Sequence, residues 1–196
     1  MYSDLAYYFV NEIILRQTKI SQDTYVDENF YKPLGLDNIG YKPREKWDIS
    51  RIPPTEDDKS FRHQIIHADV HDQGAAMLGG VCGHAGLFAN SNDLAVMMQT
   101  FMQYGTYGGE RYFDEEVVKL FTSSPFYSVN RNRRGIGFDK PVRGGGNGPT
   151  CSGCASDNSF GHSGFTGTLT WADPDNGLVF VFLSNRTFPD ADNKKI

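Results

Sequence analysis

Apolar positions along the 196 residues change their period once, from helical to alternating. Near the start, Leu5, Phe9 and Ile13 recur at i, i+4 and i+8, and Tyr8, Val10 and Ile14 widen the stripe. This predicts a helix capped by Ser3 and ending near Lys19. Asp4 falls in the first turn, where a carboxylate complements the helix dipole. A second short helix fits Ser21 to Tyr31 and stops at Pro33 and Gly35. Between 37 and 62, Pro43, Pro53, Pro54 and dense charge predict a long surface loop. Asp72 to Leu78 fits a short helix, followed by the small-residue run GGVCGHAGLF. Ser91 opens a longer helix to about Tyr104, with Leu94, Met97, Met98, Phe101 and Met102 as its apolar face and Gly105 as its stop. Asp114 caps another, with Val117, Val118, Leu120 and Phe121 inward.

Beyond these helices the pattern alternates. Ile136 to Phe138 predicts a short strand. Gly167 to Ala172 and Leu178 to Ser184 flank Asp173-Pro-Asp-Asn-Gly177, where proline fixes φ and Asn-Gly tolerates positive φ. The three pieces predict an antiparallel hairpin. Helices first and strands last give an α+β fold class, read as one domain over residues 1–196.

Composition narrows the partners. With 39% hydrophobic and 22% charged residues the chain is a folding sequence. A net charge of −5 argues against nucleic acid, which calls for a basic face. The one basic cluster, Arg131, Arg133 and Arg134, sits among Asn and Gly and reads as a solvated loop. No apolar run approaches the ~20 residues of a membrane span, the longest being Leu178 to Leu183. Cys151 and Cys154 form a single C-x-x-C in a Gly/Ser/Asn loop, without the second pair that a four-cysteine zinc site needs.

Two clusters could carry chemistry on residue type alone. His63, His67 and His71 are spaced i, i+4, i+8, which on a helix would make one metal-binding face; Ile65, Ile66 and Val70 disfavour that helix, and hydrogen bonding by His71 and Asp72 is the expectation. No metal and no cofactor is assigned, since Gly161, Gly164 and Gly167 precede a strand where a dinucleotide loop would follow one. The second cluster is "FGHSGFTGTLTWADP", residues 160–174, which places a histidine, hydroxyls and glycines at the mouth of a strand.

Together these motifs resemble the serine β-lactamase and penicillin-binding-protein superfamily, in its class C β-lactamase, D-Ala-D-Ala carboxypeptidase and esterase branch. Tyr2-Ser3-Asp4 is similar to the family's Tyr-Ser/Ala-Asn motif at a helix start, and His162-Ser163-Gly164 to its Lys/His-Thr/Ser-Gly strand motif. "PLGL" at 33–36, "GHAGLFANSNDLAVMMQTFMQYG" and "GFTGTLTWADPDNGLVFVFLSNR" resemble further segments in the same order.

The resemblance implies acyl transfer from a small-molecule or peptidoglycan-like substrate. It makes Tyr2 a general base or proton relay. It places Asp4 at the substrate, where Asn is commoner and an ionised Asp could not donate. His162 would bind a substrate carboxylate or tune the tyrosine, Ser163 would hydrogen-bond substrate, Gly164 would give access, and the Phe165 N–H would donate to an oxyanion. His162 in place of lysine favours peptidase- or esterase-like relatives. The family nucleophile is the serine of a Ser-x-x-Lys, and no serine here has lysine three positions on. The expectation is a partial domain, lacking the upstream nucleophile segment and a final helix, inactive alone, from a periplasmic or cell-envelope protein. The alternative is a non-catalytic module of this fold that binds wall fragments.

Overall fold

The computed structural model describes residues 3–142 and 153–193. It confirms an α+β chain, built as two compact units: residues 1–90 with 184–196, and residues 91–183.

The first unit opens with α1 (Leu5–Thr18), closed by Lys19 in the left-handed region at φ 61°. Ser3 Oγ accepts from the Leu5 N–H at 3.3 Å, while Asp4 occupies the N-cap position with no capping bond from its carboxylate. Most of the stripe is exposed, and only Tyr8 and Ile14 of it are half-buried. Leu5, Phe9 and Ile13 are 68%, 69% and 55% exposed, and no residue of α1 is buried. Tyr8, at the edge of the stripe, and its neighbour Tyr7 fasten the helix, because glycines admit them closely. A Cβ on Gly74 would lie 1.9 Å from the Tyr8 hydroxyl, and one on Gly83 would lie 3.1 Å from the Tyr7 carbonyl oxygen.

α2 (Gln22–Val26) runs into a single π-turn over Asp27–Tyr31. Tyr41 ties this region to the small-residue run: its hydroxyl accepts from Gln22 Nε2 at 2.8 Å and donates to the Cys82 carbonyl at 3.3 Å. Burial pushes the Tyr41 phenol up to about 12.

The predicted surface loop is ordered structure. It holds β1 (Ile39–Gly40), α3 (Pro43–Lys46), a 3₁₀ turn at Ile49–Arg51, and β2 (Pro54–Asp58). β2 pairs antiparallel with β3 (Gln64–His67). Proline did not prevent the strand, because Pro54 opens it, where a missing donor is tolerated. Asp58, 2% exposed, closes the hairpin by accepting from the backbone N–H groups of Ser60, Phe61 and Arg62 at 2.8–2.9 Å. These bonds hold its carboxyl well below the usual range.

The three histidines therefore share no helix face. His67 Nε2 lies 2.6 Å from the Ile52 carbonyl oxygen, and His71 Nε2 lies 2.8 Å from Glu56. No cluster of metal-ligating side chains occurs among the described residues. α4 (Gln73–Met77) is capped by Asp72, and β4 (Phe88–Ala89) pairs with β1.

The second unit places α5 (Ser91–Met102) against a three-stranded sheet. β7 (Phe160–Ser163), β8 (Leu169–Asp173) and β9 (Leu178–Phe182) follow one another antiparallel, so the predicted hairpin is present in register. Met98, Phe160 and Ala172 form the buried centre, with Phe101, Met102, Phe138 and Val179 around it.

β5 (Thr106–Tyr107) and β6 (Glu110–Arg111) make a small ribbon ahead of α6 (Glu115–Thr122) and α7 (Tyr127–Asn130). α6 is capped by Asp114, but only Val118 of its four apolar positions is buried; Val117, Leu120 and Phe121 are 49%, 49% and 41% exposed. The Ile136–Phe138 strand does not form. One bridge forms instead, Asp139 to Gly161; the segment before it turns, with the Gly135 N–H donating to the Phe138 carbonyl at 3.0 Å and the Ile136 N–H to the Phe121 carbonyl at 2.9 Å.

Candidate active site

Hydrogen-bond alternation sets up the strand motif. The N–H and C=O of Gly161 point away from β8, bonding Asp139 at 3.2 and 2.7 Å. Residues two apart on a strand share that direction, so the backbone of Ser163 also faces the outer edge of β7. Among the described residues, Asp139 provides the only bridge on that edge. Gly164 turns back, its N–H donating to the Thr168 carbonyl at 2.7 Å. Ser163 and Phe165 are exposed at this mouth, and His162 is half-buried.

The imidazole of His162 is fixed at both nitrogens. Nε2 lies 2.7 Å from an Arg134 guanidinium nitrogen, and Nδ1 lies 2.7 Å from the Ser163 carbonyl oxygen. A guanidinium only donates and a carbonyl only accepts. The ring is therefore the neutral tautomer with its proton on Nδ1. Arg134 also stands 3.5 Å from the Asp139 carboxylate, and Arg133 bonds both Asp139 and the Lys140 carbonyl. The basic cluster is thus a scaffold for the strand mouth, and only Arg131 is a solvated surface group. Sequence reasoning missed Arg134. Its signal, a cation amid Asn and Gly, carries no information about which strand it will meet.

Gly164 has a local reason for lacking a side chain. A Cβ there would stand 2.3 Å from Thr168 Oγ1, within the turn itself. Gly161 is tighter, with Thr170 O 2.1 Å and the Trp171 ring 2.5 Å from a built Cβ.

The structure thus assembles His162, Ser163, Gly164 and Phe165 at one strand mouth in the second unit, with Arg134 added. Asp4 belongs to the first unit, half-buried at the start of α1. Tyr2 lies outside the described residues, as does Cys151; Cys154 is exposed.

Near Asp4 the first unit holds a polar cluster. His84 Nε2 lies 2.9 Å from Asp72 Oδ1, which also accepts from the Ala75 N–H at 2.7 Å. Burial pushes the Asp72 carboxyl up, but the Ala75 and His84 hydrogen bonds outweigh it and hold it below its ordinary value. The Tyr8 ring lies 4.8 Å from the His84 ring, and burial together with the nearby Asp72 pushes its phenol up.

With this geometry in view, the Beta-lactamase family profile matches residues 1–196. The chain belongs to the beta-lactamase family. An Escherichia coli K12 protein bearing the name of a D-alanyl-D-alanine carboxypeptidase is 38% identical over 211 residues, covering 100% of this chain and 47% of its own length. A Salmonella heidelberg protein of the same name is 36% identical with the same coverage. The chain thus spans about half the length of these curated relatives. Among solved structures, a Mycobacterium bovis beta-lactamase superposes with TM-score 0.62 at 21% identity, covering 99% of this chain and 59% of its own. A penicillin-binding protein homolog from Caulobacter crescentus gives TM-score 0.61 at 21% identity, covering 91% and 50%. These superpositions establish the beta-lactamase family fold. No helix among the described residues is long and apolar enough to cross a membrane.

Proposed function

We propose that these residues furnish the substrate-facing wall of a longer serine hydrolase of the carboxypeptidase and esterase kind. The observation that carries this reading is the mouth of β7, where the Ser163 N–H faces the outer edge of the strand while its carbonyl accepts from His162, beside an Arg134 guanidinium held by the same ring. An extended, carboxylate-ended substrate suits it: the edge pairs with peptide backbone, and the guanidinium recognises the carboxylate through charge-assisted hydrogen bonds. The curated relatives' carboxypeptidase name supports that substrate class. We place such a protein in the cell envelope, with a small-molecule or peptidoglycan-like peptide substrate.

In the proposed reaction a serine outside these residues attacks the scissile carbonyl. Its proton passes by way of Tyr2 to the leaving amine or alcohol, the carbon–leaving-group bond breaks, and water then cleaves the acyl-enzyme. Ser163 orients the substrate, the Phe165 N–H faces the developing oxyanion, and Asp4 borders the substrate from the start of α1. His162 acts by aiming Arg134, since its own lone pair is already engaged.

Without a Ser-x-x-Lys, the 196-residue chain alone turns over no substrate. Nitrocefin and p-nitrophenyl acetate assays test this: background rates are expected, and enzyme-like turnover by this chain would overturn it. The same assays on a protein of the relatives' length separate an enzyme from a non-catalytic binding module, since only the enzyme forms an acyl adduct visible by mass spectrometry.

A further inference from the structure

We propose that Arg133 is a positioning residue: it occupies the Asp139 carboxylate and so leaves Arg134 to the strand mouth. The inference rests on the reading of Arg134 as the carboxylate-binding group of this wall.

Asp139 is a buried anion beside two cations. It is 8% exposed, and its Oδ1 accepts from the Arg133 guanidinium and, at 2.8 Å, from the Lys140 N–H. Its backbone bridges Gly161 of β7 at 2.7 and 3.2 Å, which pins the residue to the strand. Lys140 sends its ammonium elsewhere, donating to the Asn158 carbonyl at 3.0 Å. Arg134 is placed differently. Its Nη1 stands 3.5 Å from the same Oδ1, while its Nη2 lies 2.7 Å from His162 Nε2. A hydrogen bond from a cation to a carboxylate spans about 2.7–2.9 Å. Arg134 is thus bonded to His162 and stops just short of Asp139.

Arg133 keeps it there. The nitrogen that serves Asp139 also donates to the Lys140 carbonyl, so Arg133 is fastened to both the side chain and the main chain of this segment. A buried carboxylate left without a partner is costly. With Arg133 gone, the guanidinium already at 3.5 Å is that of Arg134. Drawn onto Asp139, it would leave His162 and have its charge compensated from within the protein. The two neighbouring arginines therefore divide the work. One neutralises an internal carboxylate, and the other is kept for an external one.

The test compares Arg133→Met, Arg133→Lys and the double variant of Arg133→Met with Asp139→Asn. In the 196-residue chain, NMR of the His162 ring nitrogens is recorded at about pH 8, above the ordinary imidazole range. Wild type should show one tautomer, protonated at Nδ1. R133M should shift the Nε2 signal as Arg134 departs. R133K keeps a cation for Asp139, and the double variant removes the charge that draws Arg134, so both should keep the wild-type signature. In a protein of the relatives' length, R133M should raise KM for a carboxylate-ended peptide about tenfold, as for a lost charged hydrogen bond. Its kcat/KM on a neutral ester should stay within about threefold of wild type, and the double variant should recover the peptide KM to within about threefold. Loss of packing alone would not be mended by a second substitution at Asp139. Should R133M fail to fold around its unpaired carboxylate, R133K and the double variant carry the test, and a changed His162 signature in either overturns the proposal. An R133M chain with the wild-type signature, or a double variant no better than R133M, would also overturn it. If Arg134→Ala leaves the peptide KM unchanged, the carboxylate reading falls, and the His162 signature still decides whether Arg133 holds Arg134 off Asp139.

Discussion

Arg134 donates to His162 Nε2 at 2.7 Å, so the strand-motif histidine spends its lone pair on a guanidinium and its proton on the Ser163 carbonyl. The positive charge at the strand mouth belongs to arginine. In a protein of the relatives' length, Arg134→Ala should raise KM for a carboxylate-ended peptide by about 10- to 100-fold, the worth of a charged hydrogen bond of about 1.5–3 kcal/mol. A neutral ester should be affected less than threefold. Equal losses on both substrates would remove Arg134 from carboxylate recognition.

Gly164 offers a way to separate local fit from substrate access. Gly164→Ala should destabilise the 196-residue chain by about 1–3 kcal/mol through overpacking, because its Cβ meets Thr168 Oγ1 at 2.3 Å. Thr168→Ala removes that oxygen, so the double variant should regain most of the loss in urea unfolding. If it regains nothing, the turn is not what demands glycine.

Asp58 should give the fold a marked sensitivity to acid. Backbone N–H groups of Phe61, Arg62 and Ser60 hold its carboxyl well below its ordinary 3.8. A depressed folded value means stability that is complete above the ordinary value and is lost as pH falls below it. Asp58→Asn should therefore be less stable than wild type at pH 7, with the gap narrowing below pH 3.8, as followed by circular dichroism melts. A pH-independent gap would show that charge plays no part.

Asp114 accepts from the Val117 N–H at 3.0 Å and starts a helix whose apolar residues are mostly exposed. With little burial to hold α6, its cap should matter. Asp114→Ala is expected to cost about 1 kcal/mol, measured as a shift in the urea midpoint, whereas Asp114→Ser should cost a few tenths at most.

Local chemistry made some of this readable in advance. The hairpin at residues 169–182 follows from alternation broken by Pro-Asp-Asn-Gly, and the helix stop at Gly105 follows from a residue that accepts positive φ. The strand motif was recognisable because its residue types are unusual for a plain strand. Direction was not legible. Periodicity finds a stripe on α1 but says nothing about which side meets the protein, and here two tyrosines over glycines decide it. The β2–β3 hairpin was hidden because prolines mark both loops and strand starts, and only the three backbone bonds to Asp58 distinguish them. Arg134 was hidden because its partner lies 28 residues away in sequence.

The bridge from Asp139 to Gly161 also works as a stop. A strand-like ligand lying along the outer edge of β7 can pair at Ser163, but two residues on it meets a position already taken. Among the described residues, that edge of β7 is left with a single backbone pairing position before the bridge closes it.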